Sequence, residues 1–199
     1  MGTGTFLFVF LWLHTILEKI FGSDCTMWRW NLRYPFEENN YYHIYNRWYN
    51  KEIIFRSEKD YEKFYNYIVL FLKDYKSIKI VSWVFLPNHF HFIIHFLWGT
   101  GTDDVSRFMK RLQWSYSIWS RQKYPLGTGT KLPFFEWRFK AKIIKDEKYL
   151  AQCIAYVNYN PLKHAIVDNI DNYKWTSYHQ IDKKKIEKYS DMILDELEI

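Results

Sequence analysis

Residues 89–96, His-Phe-His-Phe-Ile-Ile-His-Phe, alternate in character behind the turn signal Pro87-Asn88. Neighbouring side chains of an extended strand point to opposite faces, so His89, His91 and His95 share one face while Phe90, Phe92, Ile94 and Phe96 share the other. A helix would not sort them this way, because residues two apart lie about 200° apart around its axis. The phenylalanine face has to be covered by other elements. The histidine face is then expected to stay open for a site.

The flanking sequence supplies the covers. Ile78 to Leu86 is a β-branched and aromatic run that can pair with residues 89–96 as a hairpin, and Tyr41 to Tyr45 reads as an earlier strand. Ser57 can cap a helix with Asp60 in its first turn and Tyr61, Phe64, Tyr65, Ile68 and Leu72 as its apolar side. Asp103 and Asp104 open a second helix, with Val105, Phe108, Met109, Leu112, Tyr116 and Trp119 at helical spacing and Arg107, Lys110 and Arg111 largely outside that stripe. A strand within Arg138 to Lys145 precedes a helix from about Glu147, with Leu150, Cys153, Ile154 and Val157 as its stripe and Pro161 as its end. The order strand, helix, strand, strand, helix, strand, helix predicts an α+β domain: a ferredoxin-like, split βαβ antiparallel sheet with helices on one face, plus a C-terminal helical tail. The domain is expected over residues 34–180. Residues 1–33 read as an N-terminal extension, not native to the chain if Met27 is the start, and residues 181–199 as a charged C-terminal helix.

Composition narrows the classes. With 48% hydrophobic residues among 199, the chain can bury a core, which excludes a disordered chain. The apolar run Phe6 to Leu13 is too short to span a bilayer, so no membrane partner is expected. Cys25 and Cys153 form no CxxC pair, which excludes a disulfide framework and a cysteine zinc site and fits a reducing cytoplasm. A net charge of +6 and 22% aromatic residues suit a polyanion with unpaired bases, although many proteins with no such partner share those values.

Two constellations can carry chemistry. Neutral imidazoles at His89 and His91 can hold one divalent ion between them, yet HxH also occurs in strands that bind nothing. Tyr156 and Asn160 lie four residues apart on the last helix, hence on one side of it, at an edge of the apolar stripe, while Tyr159 points nearly opposite. Tyr156 is therefore better placed than Tyr159 to act as a nucleophile, and Asn160 can add a carbonyl oxygen to the histidines. By itself, Tyr156 reads first as an ordinary helix tyrosine with a satisfied hydroxyl.

Three stretches in order resemble one family: Tyr42-His43-Ile44-Tyr45-Asn46-Arg47, Phe85-Leu86-Pro87-Asn88-His89-Phe90-His91, and Tyr156-Val157-Asn158-Tyr159-Asn160-Pro161-Leu162-Lys163-His164. They look like the REP-associated tyrosine transposases, a group of the single-tyrosine HUH nucleases. The likeness runs from about Tyr34 to His179 and includes Arg138-Phe139-Lys140 and Trp175-Thr176-Ser177-Tyr178-His179. It implies a metal-dependent endonuclease and strand transferase that cuts single-stranded, hairpin-associated DNA through a 5′-phosphotyrosine. By position it implies Tyr156 as nucleophile, with His89, His91 and Asn160 as ligands of Mg2+ or Mn2+. Candidates for phosphate contacts are Arg47, Lys110, Arg111, Arg138, Lys140 and Lys163. A monomer or a homodimer is compatible with it.

Trp48 and Trp137 stand where this family usually carries glycine, which raises the alternative of an inactive or domesticated relative that only binds hairpin DNA or RNA. Two other readings are a sheet that stacks single-stranded RNA without chemistry and a metal hydrolase whose nucleophile is water. The first leaves the histidines, Tyr156 and Asn160 unexplained, and the second would keep its activity after Tyr156→Phe and form no covalent adduct.

Overall fold

The computed structural model of the chain describes residues 36–97, 104–125, 134–136 and 138–181. The expected N-terminal extension, all but the first residue of the expected C-terminal helix, and Trp137 lie outside the described residues. The elements are β1 (Asn40–Arg47), α1 (Glu58–Leu72), β2 (Ile78–Leu86), β3 (His89–Phe96), α2 (Asp104–Lys123), β4 (Lys140–Ile144) and α3 (Glu147–Lys163), the order expected. The four strands form one antiparallel sheet in the order β2-β3-β1-β4. The α+β, split βαβ class is thus the observed one.

Strand β3 is central, and its alternation organises the rest. Phe90, Phe92, Ile94 and Phe96 are fully buried, each contributing about 1.5–3 kcal/mol through burial. Helices α1 and α2 cover that face. Phe64 of α1 stands edge-on to Phe85 at 5.3 Å and tilted to Phe90 at 5.2 Å, and Phe108, Leu112 and Tyr116 of α2 complete the layer.

Asp60 lies in the first turn of α1, as expected. Its carboxylate accepts from the amides of Arg56 and Ser57 at 2.7 and 2.8 Å, closing the first turn of α1. It is also buried, accepting from Lys123 at 2.6 Å and Tyr124 at 3.0 Å. The inward stripe of α1 therefore starts at Asp60 and runs through Phe64 and Ile68 to Phe71.

Helix α3 does not join α1 and α2. It lies across the histidine face, with Tyr156 edge-on to His43 and His91 at 5.9 and 5.8 Å, so that face is partly covered rather than open. A polar node holds it there. The fully buried amide of Asn158 donates to Ser82 Oγ at 3.1 Å and to the Ile154 carbonyl at 2.8 Å, while its oxygen accepts from Thr176 Oγ1 at 3.1 Å and Ser177 Oγ at 2.8 Å. One side chain thus ties α3 to β2 and to the returning chain. Pro161 does not end the helix. It forgoes the backbone bond its missing N–H would have made to the preceding turn, yet α3 continues to Lys163. The helix closes with the amides of Ala165 and Ile166 donating to the carbonyls of Leu162 and Pro161, Ala165 being in the left-handed region at φ 50°.

Trp48 has φ −68° and ψ 148°, ordinary extended backbone that does not require glycine. Its ring is buried against Phe134, and its backbone bridges to Phe135.

Candidate active site

A cleft of about 450 Å³ opens where the end of β1 meets the start of β3, under the C-terminal end of α3. The sheet supplies Tyr45, His89 and His91, with Tyr45 and His91 directly paired and their rings 5.5 Å apart. The helix end supplies Tyr156, Lys163 and His164. The rings of His89 and His91 are 5.1 Å apart, and those of His89 and His164 also 5.1 Å apart.

Each ligand candidate on β3 has one ring nitrogen already engaged. His89 Nδ1 donates to Asn88 Oδ1 at 2.6 Å, and His91 Nδ1 lies 2.9 Å from His43 Nε2. The Nε2 atoms are then the ones available to a ligand, a division of labour usual for metal-binding imidazoles. Burial, then the neighbouring His164, pushes His89 down to about 3. Burial, then His43, holds His91 well below its ordinary range, and burial with Lys142 pushes His43 down to about 4. All three rings are therefore neutral at pH 7 and keep their lone pairs.

Asn160 lies beneath them with no exposed surface. Its amide nitrogen donates weakly to the Tyr156 carbonyl at 3.4 Å, while its Oδ1 is buried without a partner and lies close enough to His89 to favour the charged form of that ring. A buried carbonyl oxygen left bare costs about 1–3 kcal/mol, and its presence in a folded site points to a missing partner. Two neutral imidazoles and one amide oxygen fit a divalent ion such as Mg2+ or Mn2+ that keeps further oxygen ligands of its own. Among the described residues, no group of three His, Cys, Asp or Glu side chains could hold a metal ion, so a metal bound here would draw on the amide oxygen as well.

Two tyrosines face this group. Lys163 Nζ sits 4.8 Å from the ring centre of Tyr156. The Tyr45 hydroxyl is pushed up to about 12 by burial and then by Tyr156, which keeps it a neutral hydrogen-bond donor. Tyr159 lies elsewhere, against Tyr178 at 5.8 Å, and His95 stacks on Tyr41 at the far end of the strand.

The family described as "Transposase IS200 like" matches residues 37–160, well over half of the chain. This chain belongs to that family. The matched region takes in His43, His89, His91, Tyr156 and Asn160. Over 67 residues the chain is 33% identical to a Haemophilus influenzae protein named as a REP-associated tyrosine transposase, covering 34% of this chain and about a third, 35%, of that relative's length. In fold it is similar to a REP-associated tyrosine transposase whose structure was solved bound to a REP hairpin, with a TM-score of 0.59 at 20% identity over 76% of this chain and 84% of that one.

The cationic residues of this IS200-like transposase separate into three groups. Arg47, Lys140 and Lys163 line the cleft, Arg47 paired with Glu136 at 2.5 Å and Lys140 Nζ 5.8 Å from the ring centre of Tyr45. Lys110 and Arg138 line a different groove, beside α2. Arg111 lines neither: it pairs with Asp74 at 2.6 Å and lies over Phe71 at 4.2 Å. Sequence reasoning gave no role to His43, Asn88, Tyr45 or His164. His43 reaches His91 only through the β1/β3 register, which sets Tyr45 opposite His91 and His43 one diagonal away. Among the described residues no helix is long and apolar enough to cross a membrane.

Proposed function

We propose that this transposase is a metal-dependent single-stranded DNA endonuclease and strand transferase with Tyr156 as its nucleophile. The observation that carries the proposal is a convergence: Tyr156 and the unpartnered Oδ1 of Asn160, one turn apart on α3, both meet the histidine end of β3. The Tyr156 oxygen attacks the scissile phosphorus and gives up its proton, the bond to the 3′-oxygen breaks, and that oxygen takes up a proton. The products are a 5′-phosphotyrosine and a free 3′-hydroxyl. Because the new link is itself a phosphodiester, a 3′-hydroxyl from another strand can reverse the step and join the ends without ATP.

A divalent ion held by His89, His91 and Asn160 would polarise the scissile phosphate and offset charge developing on its oxygens. The neutral Tyr45 hydroxyl donates to a phosphate oxygen, while Lys140, Lys163 and Arg47 hold the strand. His43 and Asn88 fix the ring orientation of His91 and His89. The partner is single-stranded or hairpin DNA, in keeping with the hairpin bound to the relative of similar fold.

End-labelled hairpin DNA taken from beside the gene, incubated with manganese or EDTA and run on a denaturing gel, tests this. Wild type gives a protein-linked band with manganese alone, and Tyr156→Phe gives none. Cleavage that persists in Tyr156→Phe assigns the attack to water, and DNA that is bound but never cut makes the chain a binding protein. Either result overturns the proposal.

A further inference from the structure

On the side of the sheet away from α3 runs a second groove, of about 850 Å³, between α2 and the segment leading into β4. Along α2 it is lined by Arg107, Lys110, Trp114, Ile118 and Arg121, spaced at three and four residues, so they form one stripe facing away from the buried stripe of Val105, Phe108, Leu112 and Tyr116. Arg138 and Phe135 stand on the opposite wall. No acidic side chain lines the groove among the described residues. Trp114 is 68% exposed and Ile118 42% exposed, a large apolar surface left to water among four cations.

The groove and the active-site cleft share a wall. Glu136 lines the cleft, while Phe135 and Arg138 on either side of it line the groove. Asn46, which lines the cleft, donates to Gln113, which lines the groove, at 3.2 Å. A strand leaving the cleft over this wall therefore enters the groove.

We propose that this groove binds unpaired nucleotides of the same DNA strand whose phosphate is cut in the cleft, with Trp114 stacking on a base and Lys110 and Arg138 contacting the adjoining phosphates. The chemistry fits that occupant. An aromatic face among cations stacks any base and neutralises its backbone, whereas a duplex buries its base faces and offers none to stack on. That the strand is DNA rests on the function proposed above.

The full chain is titrated in EDTA, by fluorescence anisotropy, with a labelled hairpin carrying a single-stranded extension of about ten nucleotides and with the same hairpin blunt. Trp114→Ala weakens binding of the extended hairpin about tenfold or more and leaves the blunt one within about twofold, and Trp114→Phe restores most of the loss. Lys110→Gln with Arg138→Gln lowers the slope of log affinity against log salt by about 1 to 2. No loss on either DNA, an equal loss on both, or tighter binding of RNA of the same sequence overturns the proposal. The two proposals fail separately. A normal Tyr156 adduct with unchanged binding in Trp114→Ala removes the groove alone, whereas loss of extended-strand binding in a protein that forms no adduct removes the cleavage alone.

Discussion

Asp60 and Asn160 are both buried without exposed surface, on opposite sides of the same sheet. On the α1/α2 side, Asp60 has Lys123, Tyr124 and two backbone amides around its carboxylate. On the α3 side, the Asn160 carbonyl oxygen has no partner. The chain meets the hydrogen-bonding demand of one buried oxygen several times over and leaves another without a hydrogen bond beside His89. The first arrangement fastens two helices together. The second costs stability that a bound partner at that oxygen would return.

The largest effect should come from removing the satisfied group. Asp60→Ala leaves Lys123 and two helix-start amides without their acceptor and is expected to cost about 3–5 kcal/mol in urea unfolding. Burial works against the Asp60 charge, but the hydrogen bonds of Lys123, Tyr124 and the Arg56 and Ser57 amides outweigh it and hold the carboxyl below its ordinary range. A depressed carboxyl stabilises the fold above its unfolded value of about 3.9 and loses that contribution as pH falls through the folded value. The gap between wild type and variant should therefore hold steady from pH 7 to about 5 and narrow below about 4. A gap independent of pH would show that Asp60 acts through packing alone.

An intermediate effect is expected at His43. In His43→Phe the Nδ1 of His91 loses its partner, and affinity for Mn2+, read by titration calorimetry, should fall about 10- to 100-fold while the far-UV spectrum is unchanged. Rescue by His43→Gln, which can still pair with His91, separates orientation from packing. Unaltered affinity in both variants would remove His43 from the site.

The smallest effect sharpens the contrast most. Asn160→Leu should shift the stability of the metal-free protein by no more than about 1 kcal/mol, because the oxygen it removes has no partner to lose, yet it should abolish tight Mn2+ binding. A loss of several kcal/mol without metal would place Asn160 in the same class as Asp60.

The sequence made the two-faced strand readable because alternation at residues 89–96 admits one pairing geometry, and a one-residue slip would turn every phenylalanine outward. The helices were equally legible from spacing, and the Tyr156/Asn160 side of α3 from a four-residue separation. Relations between elements were not. Which face α3 would cross depends on Asn158 finding Ser82, Thr176 and Ser177, partners scattered over nearly a hundred residues. Asp60 sat at a helix start, where an exposed acid is the usual reading, and only the arrival of Lys123 shows that it is buried. The groove beside α2 escaped for a similar reason. Its cations and Trp114 read as the solvent side of an amphipathic helix until the segment before β4 supplies the other wall.

Asn158 also sets a timetable for the nascent chain. Two of its partners, Thr176 and Ser177, are made after the helix that carries Tyr156 and lie beyond the last residue of the family match. A chain still emerging at residue 165 has synthesised every strand of the sheet, the histidines and the tyrosine, but not the clamp that seats α3. The polar clamp on that helix is therefore completed only once nearly all of the described chain has been made.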